Sequence, residues 1–481
     1  MLRIAPLLAC AALGGRVAAE PIAATEPPAR EPAPPIAAPV APHELTAADV
    51  ASAPYPGDES GRTDEPDRDS LPRRAGRLAL FPVRLGLNLG LAPVRGLLWA
   101  QDRYHLDELY FRAFYNADRT IGLYPTASYA AGYGFDAGAA FKDSEMFGRG
   151  ETLTLDAVTG ALVGDDYHES AHAAFHTGRR LGRVQVGVET GFERRPTDPF
   201  YGIGNADVAP QPAAAVDPRR DAAAVPTSYR YQEARAAAYA DARITGALHV
   251  RALGTVTEHA FSRSTSDAAI DAVYDPAGLV GWPGFASAYG ELEVRFDQRG
   301  RASSWEPAEL HTEGWLVAAA LGRSHRLDGG PDFWRGTAEV QQYLRLARGP
   351  RLLALRLRGE AVSGAVGEVP FSQLPTLGGG EFLRGYEFQR FRDRAAAVAS
   401  VEYIWDLAHW VDAVLFVDAG RVYSSMSAIG VDRLRVGFGA AIRIFDESHF
   451  LCEVGVASSI DGGFFLNFSF NRVFHATPRW R

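Results

Sequence analysis

Lysine is almost absent. Lys142 is the only one, so nearly all of the 49 Lys+Arg residues are arginine, and 58 Asp+Glu leave a net charge of -9. We read the arginine bias as genomic base composition. No basic block is present, which excludes nucleic-acid binding. Cysteine is scarce as well. Of the two, Cys10 and Cys452, the first lies in a leader, so the mature chain keeps one and forms no internal disulfide. Past the leader there is no apolar run of about eighteen residues, which excludes transmembrane helices. A mean hydropathy of -0.12 leaves a transmembrane barrel open, because alternating strands average to near neutrality. No G-x-S-x-G, no P-loop and no G-x-G-x-x-G between strand and helix is found, and no cofactor is expected.

What is present begins with an export signal. Residues 1–19 read as a signal peptide, with Arg3 as the positive end, an apolar stretch from Ile4 to Leu13, and Val17-Ala18-Ala19 as a small-residue cleavage site. Lipoprotein processing at Cys10 is the rival reading. Residues 20–75 turn to Pro, Ala and then acidic residues without a hydrophobic period, an expected disordered linker. Residues 76–117 form a lead-in segment. There Val83, Leu85, Leu87, Leu89 and Leu91 alternate, and the stretch from Pro93 to Trp99 favours a short helix with proline in its first turn.

From about Ile121 the period is two. Val184, Val186, Val188, Thr190 and Phe192 alternate with Arg183, Gln185, Gly187, Glu189 and Gly191. The stretches at Leu292–Phe296, Ala338–Leu346 and Leu353–Leu357 repeat the pattern, with Arg and Glu side by side on the polar face. Residues 118–474 hold about sixteen such segments, each with about the length a tilted strand needs to cross a bilayer. The expected fold is therefore all-β: a transmembrane antiparallel β-barrel of about sixteen strands, followed by a tail at 475–481. The irregular stretches 195–227 and 261–286 are expected as external loops, the first holding a GIGN turn at Gly202–Asn205 that needs positive φ.

The stretch from Leu374 to Arg394 fits neither strand nor helix. Gly378, Gly379 and Gly380 break any regular element, and Leu383-Arg384-Gly385-Tyr386 follows. Strand parity puts Glu402 and Asp418 on one polar face of the next two strands. A loop folded into the lumen could set Arg384 against both carboxylates, in the bidentate geometry that guanidinium favours. Three solvated charges are the bland alternative.

The three stretches LGGGEFLRGY, AVASVEYIWDL and VLFVDAGRVY, in this order, resemble the C-terminal barrel of the BamA/TamA superfamily, also called the bacterial surface antigen family. The resemblance implies sixteen strands and an extracellular loop whose [V/L]-R-G-[F/Y] tip lies in the lumen. It carries that tip onto Leu383, Arg384, Gly385 and Tyr386, and the Arg-pairing acids onto Glu402 and Asp418. It also implies an aromatic C-terminal strand signal, here Phe470 and Phe474, although seven residues trail Phe474. Members carry client-capturing POTRA domains before the barrel; here that place holds the linker.

Three functions follow as expectations. The first is a monomeric outer-membrane barrel that inserts or transports protein or lipid, with outer-membrane lipid and a periplasmic partner or client protein around it. The second is a passive diffusion or uptake channel with the same barrel. The third is a zinc hydrolase, since His168, Glu169 and His172 match H-E-x-x-H, with His176 beyond. In a strand, however, Glu169 points away from the histidines. The chain is therefore expected not to be an enzyme.

Overall fold

A computed structural model describes residues 103–469, except 105, 131–133, 161–166, 179–181, 209–216, 219–223, 266–267, 301–312, 347–350, 366, 409–410 and 446–449. The signal peptide, the linker, the expected helix at Pro93–Trp99, Phe470, Phe474 and the C-terminal tail lie outside the described residues.

Sixteen strands form one antiparallel sheet in strict chain order. They are β1 Ile121–Ala130, β2 Gly134–Asp143, β3 Thr152–Gly160, β4 Glu169–His176, β5 Val184–Phe200, β6 Thr227–Arg243, β7 Leu248–Arg263 and β8 Gly284–Asp297. The second half holds β9 Gly314–Arg326, β10 Phe333–Arg345, β11 Arg351–Val362, β12 Ala395–Ala408, β13 Val411–Tyr423, β14 Arg435–Phe445, β15 Phe450–Ser459 and β16 Phe465–Ser469. The fold is a transmembrane antiparallel β-barrel. Among the described residues no ladder joins β1 to β16, whose described span is only five residues.

Burial is inverted relative to a water-soluble sheet. Leu321 and Leu357, on the outward faces of β9 and β11, are each 58% exposed, whereas Gln341 and Arg356 on the inward faces are 0% and 3% exposed. Apolar side chains outward and charged ones inward is the arrangement lipid demands of a barrel wall.

The long connections at 201–226, 264–283 and 363–394 all follow odd-numbered strands and so share one end, the outer end by the usual loop asymmetry. β5 and β7 run further toward that end than the sequence suggests, since 195–200 and 261–263 are strand rather than loop. Pro196 is accommodated because the β5–β6 register shifts between Arg195 and Asp198. Beyond these strand tips an apolar cluster gathers Phe200, Ile203, Phe261, Tyr274 and Phe371, all buried. At the inner end, helix α1 (Leu106–Phe114) leads into β1, and Tyr115 stacks on Tyr124 with ring centroids 5.7 Å apart. This helix lies in the expected lead-in but beyond the stretch where the sequence favoured one.

Candidate functional site

The segment from Leu374 to Arg394 folds back against the inner wall. A two-strand ribbon, Thr376–Leu377 with Phe391–Arg392, closes its base. Between the ribbon strands Gly378 and Gly379 take φ of 116° and 96°, which residues with a Cβ rarely adopt. The tip then lies on β12, β13, β14 and β15.

Arg384 meets both expected carboxylates. Its Nε donates to Asp418 Oδ2 at 2.7 Å and its Nη2 to Asp418 Oδ1 at 2.8 Å, a bidentate pair. Nη1 donates to Glu402 Oε1 at 2.6 Å, and the Arg384 main-chain N–H donates to Asp418 Oδ2 at 3.0 Å. The guanidinium carbon also lies 3.6 Å from the centre of the Phe416 ring. Arg384 and Asp418 are 1% exposed and Glu402 is 0% exposed. Burial works against the Arg384 charge, but Asp418 and Glu402 outweigh it and hold the guanidinium pKa above its ordinary value.

The network extends past the residues the sequence singles out. Glu402 Oε2 accepts from Arg443 Nη2 at 2.8 Å, and Arg443 Nε donates to Glu453 Oε2 at 2.6 Å. Two guanidinia thus alternate with three carboxylates, so each buried charge has an opposite neighbour. Arg443 and Glu453 sit directly opposite each other in the β14–β15 register. Parity alone places each on the lumen face; the register is what makes them partners. On the other flank, Phe382 lies under Arg356 and Arg358, at 4.9 and 4.7 Å, and both arginines donate to Glu339, at 2.9 and 2.8 Å.

The rest of the tip is fitted by shape. Leu383 is fully buried with Leu377, Phe391, Val398 and Val422. The Tyr386 hydroxyl donates to Asp461 Oδ2 at 2.7 Å. Burial first, and then that bond, push the Tyr386 pKa up to about 12. Gly437 of β14 leaves a gap that the tip backbone fills, since a Cβ there would fall 1.6 Å from the Arg384 carbonyl oxygen.

The histidines do not assemble a hydrolytic centre. The His168 Nδ1 faces Asp136 at 3.0 Å, and the His172 Nδ1 faces Asp156 at 3.3 Å. Glu169 is on the outward face of β4, where Arg194 donates to it at 3.5 Å. Among the described residues no group of three or more ligands could hold a metal ion. Beside the loop the lumen keeps a polar cavity of about 380 Å³, lined by Glu233, Thr255, His259, Ser324, Arg335 and Glu381 among others.

A family model described as the Omp85 superfamily domain matches residues 127–445, well over half of the chain. The chain belongs to the Omp85 superfamily. The superfamily expected from the three motifs is thus the one found. No curated protein matches the sequence. Among solved structures, BamA from Haemophilus ducreyi lacking POTRA domains 1–3 is similar at 15% identity with a TM-score of 0.49, covering 73% of this chain and 69% of that one. CdiB from Acinetobacter baumannii is similar at 13% identity and TM-score 0.43, covering 71% of this chain and 56% of that one. CdiB from Escherichia coli is similar at 10% identity and TM-score 0.46, covering 73% and 60%. The chain therefore spans less than two thirds of either CdiB chain.

Proposed function

We propose that this Omp85 barrel inserts or translocates protein or lipid at the outer membrane, with the Arg384 loop as a fixed internal strut. Leu383, Arg384, Gly385 and Tyr386 form the anchor, and Glu402 and Asp418 are its partners. The observation that carries this reading is the buried two-carboxylate seat of Arg384 inside a barrel of this family. A weak first-to-last strand seam, through which a client could enter the membrane, is part of this proposal. Periplasmic partners present the client, and the barrel works as a monomer in outer-membrane lipid.

Depletion of the protein is expected to lower the outer-membrane content of other barrels. Wild type should restore that content and Arg384→Ala should not. Unchanged content on depletion would count against the proposal.

A passive channel is the second reading, favoured by the polar cavity of about 380 Å³. It requires steady conductance of the purified barrel in planar bilayers, and the apolar cluster at the outer end works against it. A silent bilayer removes this reading.

A further inference from the structure

The GIGN turn has no part in the Arg384 seat, yet it reaches the same loop. Gly202 and Gly204 take φ of 88° and 122°, and this turn carries the chain across the barrel mouth. Ile203 is buried in the outer apolar cluster. Next to it, the Gly204 N–H donates to the Arg392 carbonyl at 2.7 Å, at the base of the lumen loop. Arg390 Nη2 of that loop donates back to the Ala206 carbonyl at 2.6 Å.

Asn205 makes the most specific contact. The β13–β14 ladder ends at Gly420–Arg435, which leaves Val422 without a β14 partner. The Asn205 carboxamide takes that place: its Nδ2 donates to the Val422 carbonyl at 2.8 Å, and its Oδ1 accepts from the Val422 N–H at 3.2 Å. One side chain thus imitates a strand residue for one step of the sheet. Arg435, at the ladder end, closes the contact by donating to the Asn205 carbonyl at 2.6 Å and to Asp207 Oδ1 at 2.7 Å. Val422 also packs against Leu383 and Tyr386 in the loop's own apolar cluster. Asn205 therefore holds the strand tip on which the anchor motif rests, while its neighbours hold the loop base.

We propose that Asn205 is a positioning residue for the lumen loop, and that the 201–207 strap must let go before the Arg384 tip can leave its seat. This inference rests on the reading of Arg384 as the loop anchor and adds a second, outer restraint to it.

The test uses the full-length barrel in a Cys452→Ser background. Leu383→Cys places a thiol at a fully buried tip position, so that labelling by a membrane-impermeant maleimide reports loop release. Asn205→Ala is expected to speed labelling about tenfold, the scale of one to two net hydrogen bonds. The gel shift that marks a folded barrel should not change, a readout that separates positioning from general stability. If Asn205→Ala does not fold, Asn205→Gln carries the test. It keeps the amide but moves it one methylene out of step with Val422, and several-fold faster labelling is expected. Labelling unchanged by the folded variant, while Arg384→Ala speeds it, overturns the strap alone. Labelling unchanged by Arg384→Ala as well overturns the anchor and the strap together.

Discussion

Arg384 concentrates the energetics of the site on one side chain. Removing it leaves Asp418 buried and Glu402 with one guanidinium instead of two, a loss of about 3–5 kcal/mol for a broken buried pair. Arg384→Lys is expected to recover little of this, because an ammonium cannot make the bidentate bond to Asp418. Thiol labelling at the tip checks both variants, and a fully protected tip in Arg384→Lys would refute the geometric argument. Gly437→Ala tests shape rather than charge. Its methyl group would collide with the Arg384 carbonyl, so the tip is expected to be displaced with all the charges intact, again read by labelling. Tyr386 adds a pH dependence. Its folded pKa, about 12, lies above the ordinary tyrosine value, so its contribution is complete below about pH 10 and is lost as pH rises through the folded value. Labelling is therefore expected to accelerate between about pH 10 and 12, and Tyr386→Phe should remove that rise.

Strands and loops divide the work. The strands hold the carboxylates in place, and the three long outer connections close over them. Phe371 joins the last of these connections to the tips of β5, β6 and β7, with its ring 5.6 Å from Phe200, 5.4 Å from Tyr229 and 5.0 Å from Phe261. Phe371→Ala is expected to cost about 3–5 kcal/mol of outer-cluster stability, by lost burial plus the cavity left behind. Protease sensitivity confined to the outer loops would show it; unaltered loop protection would mean the cluster does not hold them. The sequence marks these long connections as irregular but shortens β5 and β7. Proline-containing stretches read as loops, and only the shifted β5–β6 register reveals that a bulge absorbs Pro196.

Across the whole molecule the inverted burial decides which substitutions matter. An arginine on the outward face at mid-strand, as in Leu357→Arg, is expected to destabilise the barrel by about 2–4 kcal/mol near the bilayer midplane. Denaturant titration in lipid vesicles measures this. A cost near zero would place Leu357 outside the hydrocarbon. The same inversion explains why buried carboxylates such as Glu402 and Glu453 are tolerated: each faces a guanidinium on the lumen side and not lipid.

The sequence by itself determined the architecture and half of the site. Period-two alternation is a local property, so strand faces, the approximate strand number and the shared side of Glu402 and Asp418 are legible without any fold. The stretches LGGGEFLRGY, AVASVEYIWDL and VLFVDAGRVY, taken in order, carried the family in the same way. Partnership is not local. That Arg443 bridges Glu402 and Glu453 depends on register between neighbouring strands. That Asn205 reads the backbone of Val422 depends on a loop crossing the barrel mouth, with 217 positions between the two residues. Only the folded arrangement of strands and loops brings such groups within hydrogen-bonding distance, and it is there that the charges of the lumen become a structure.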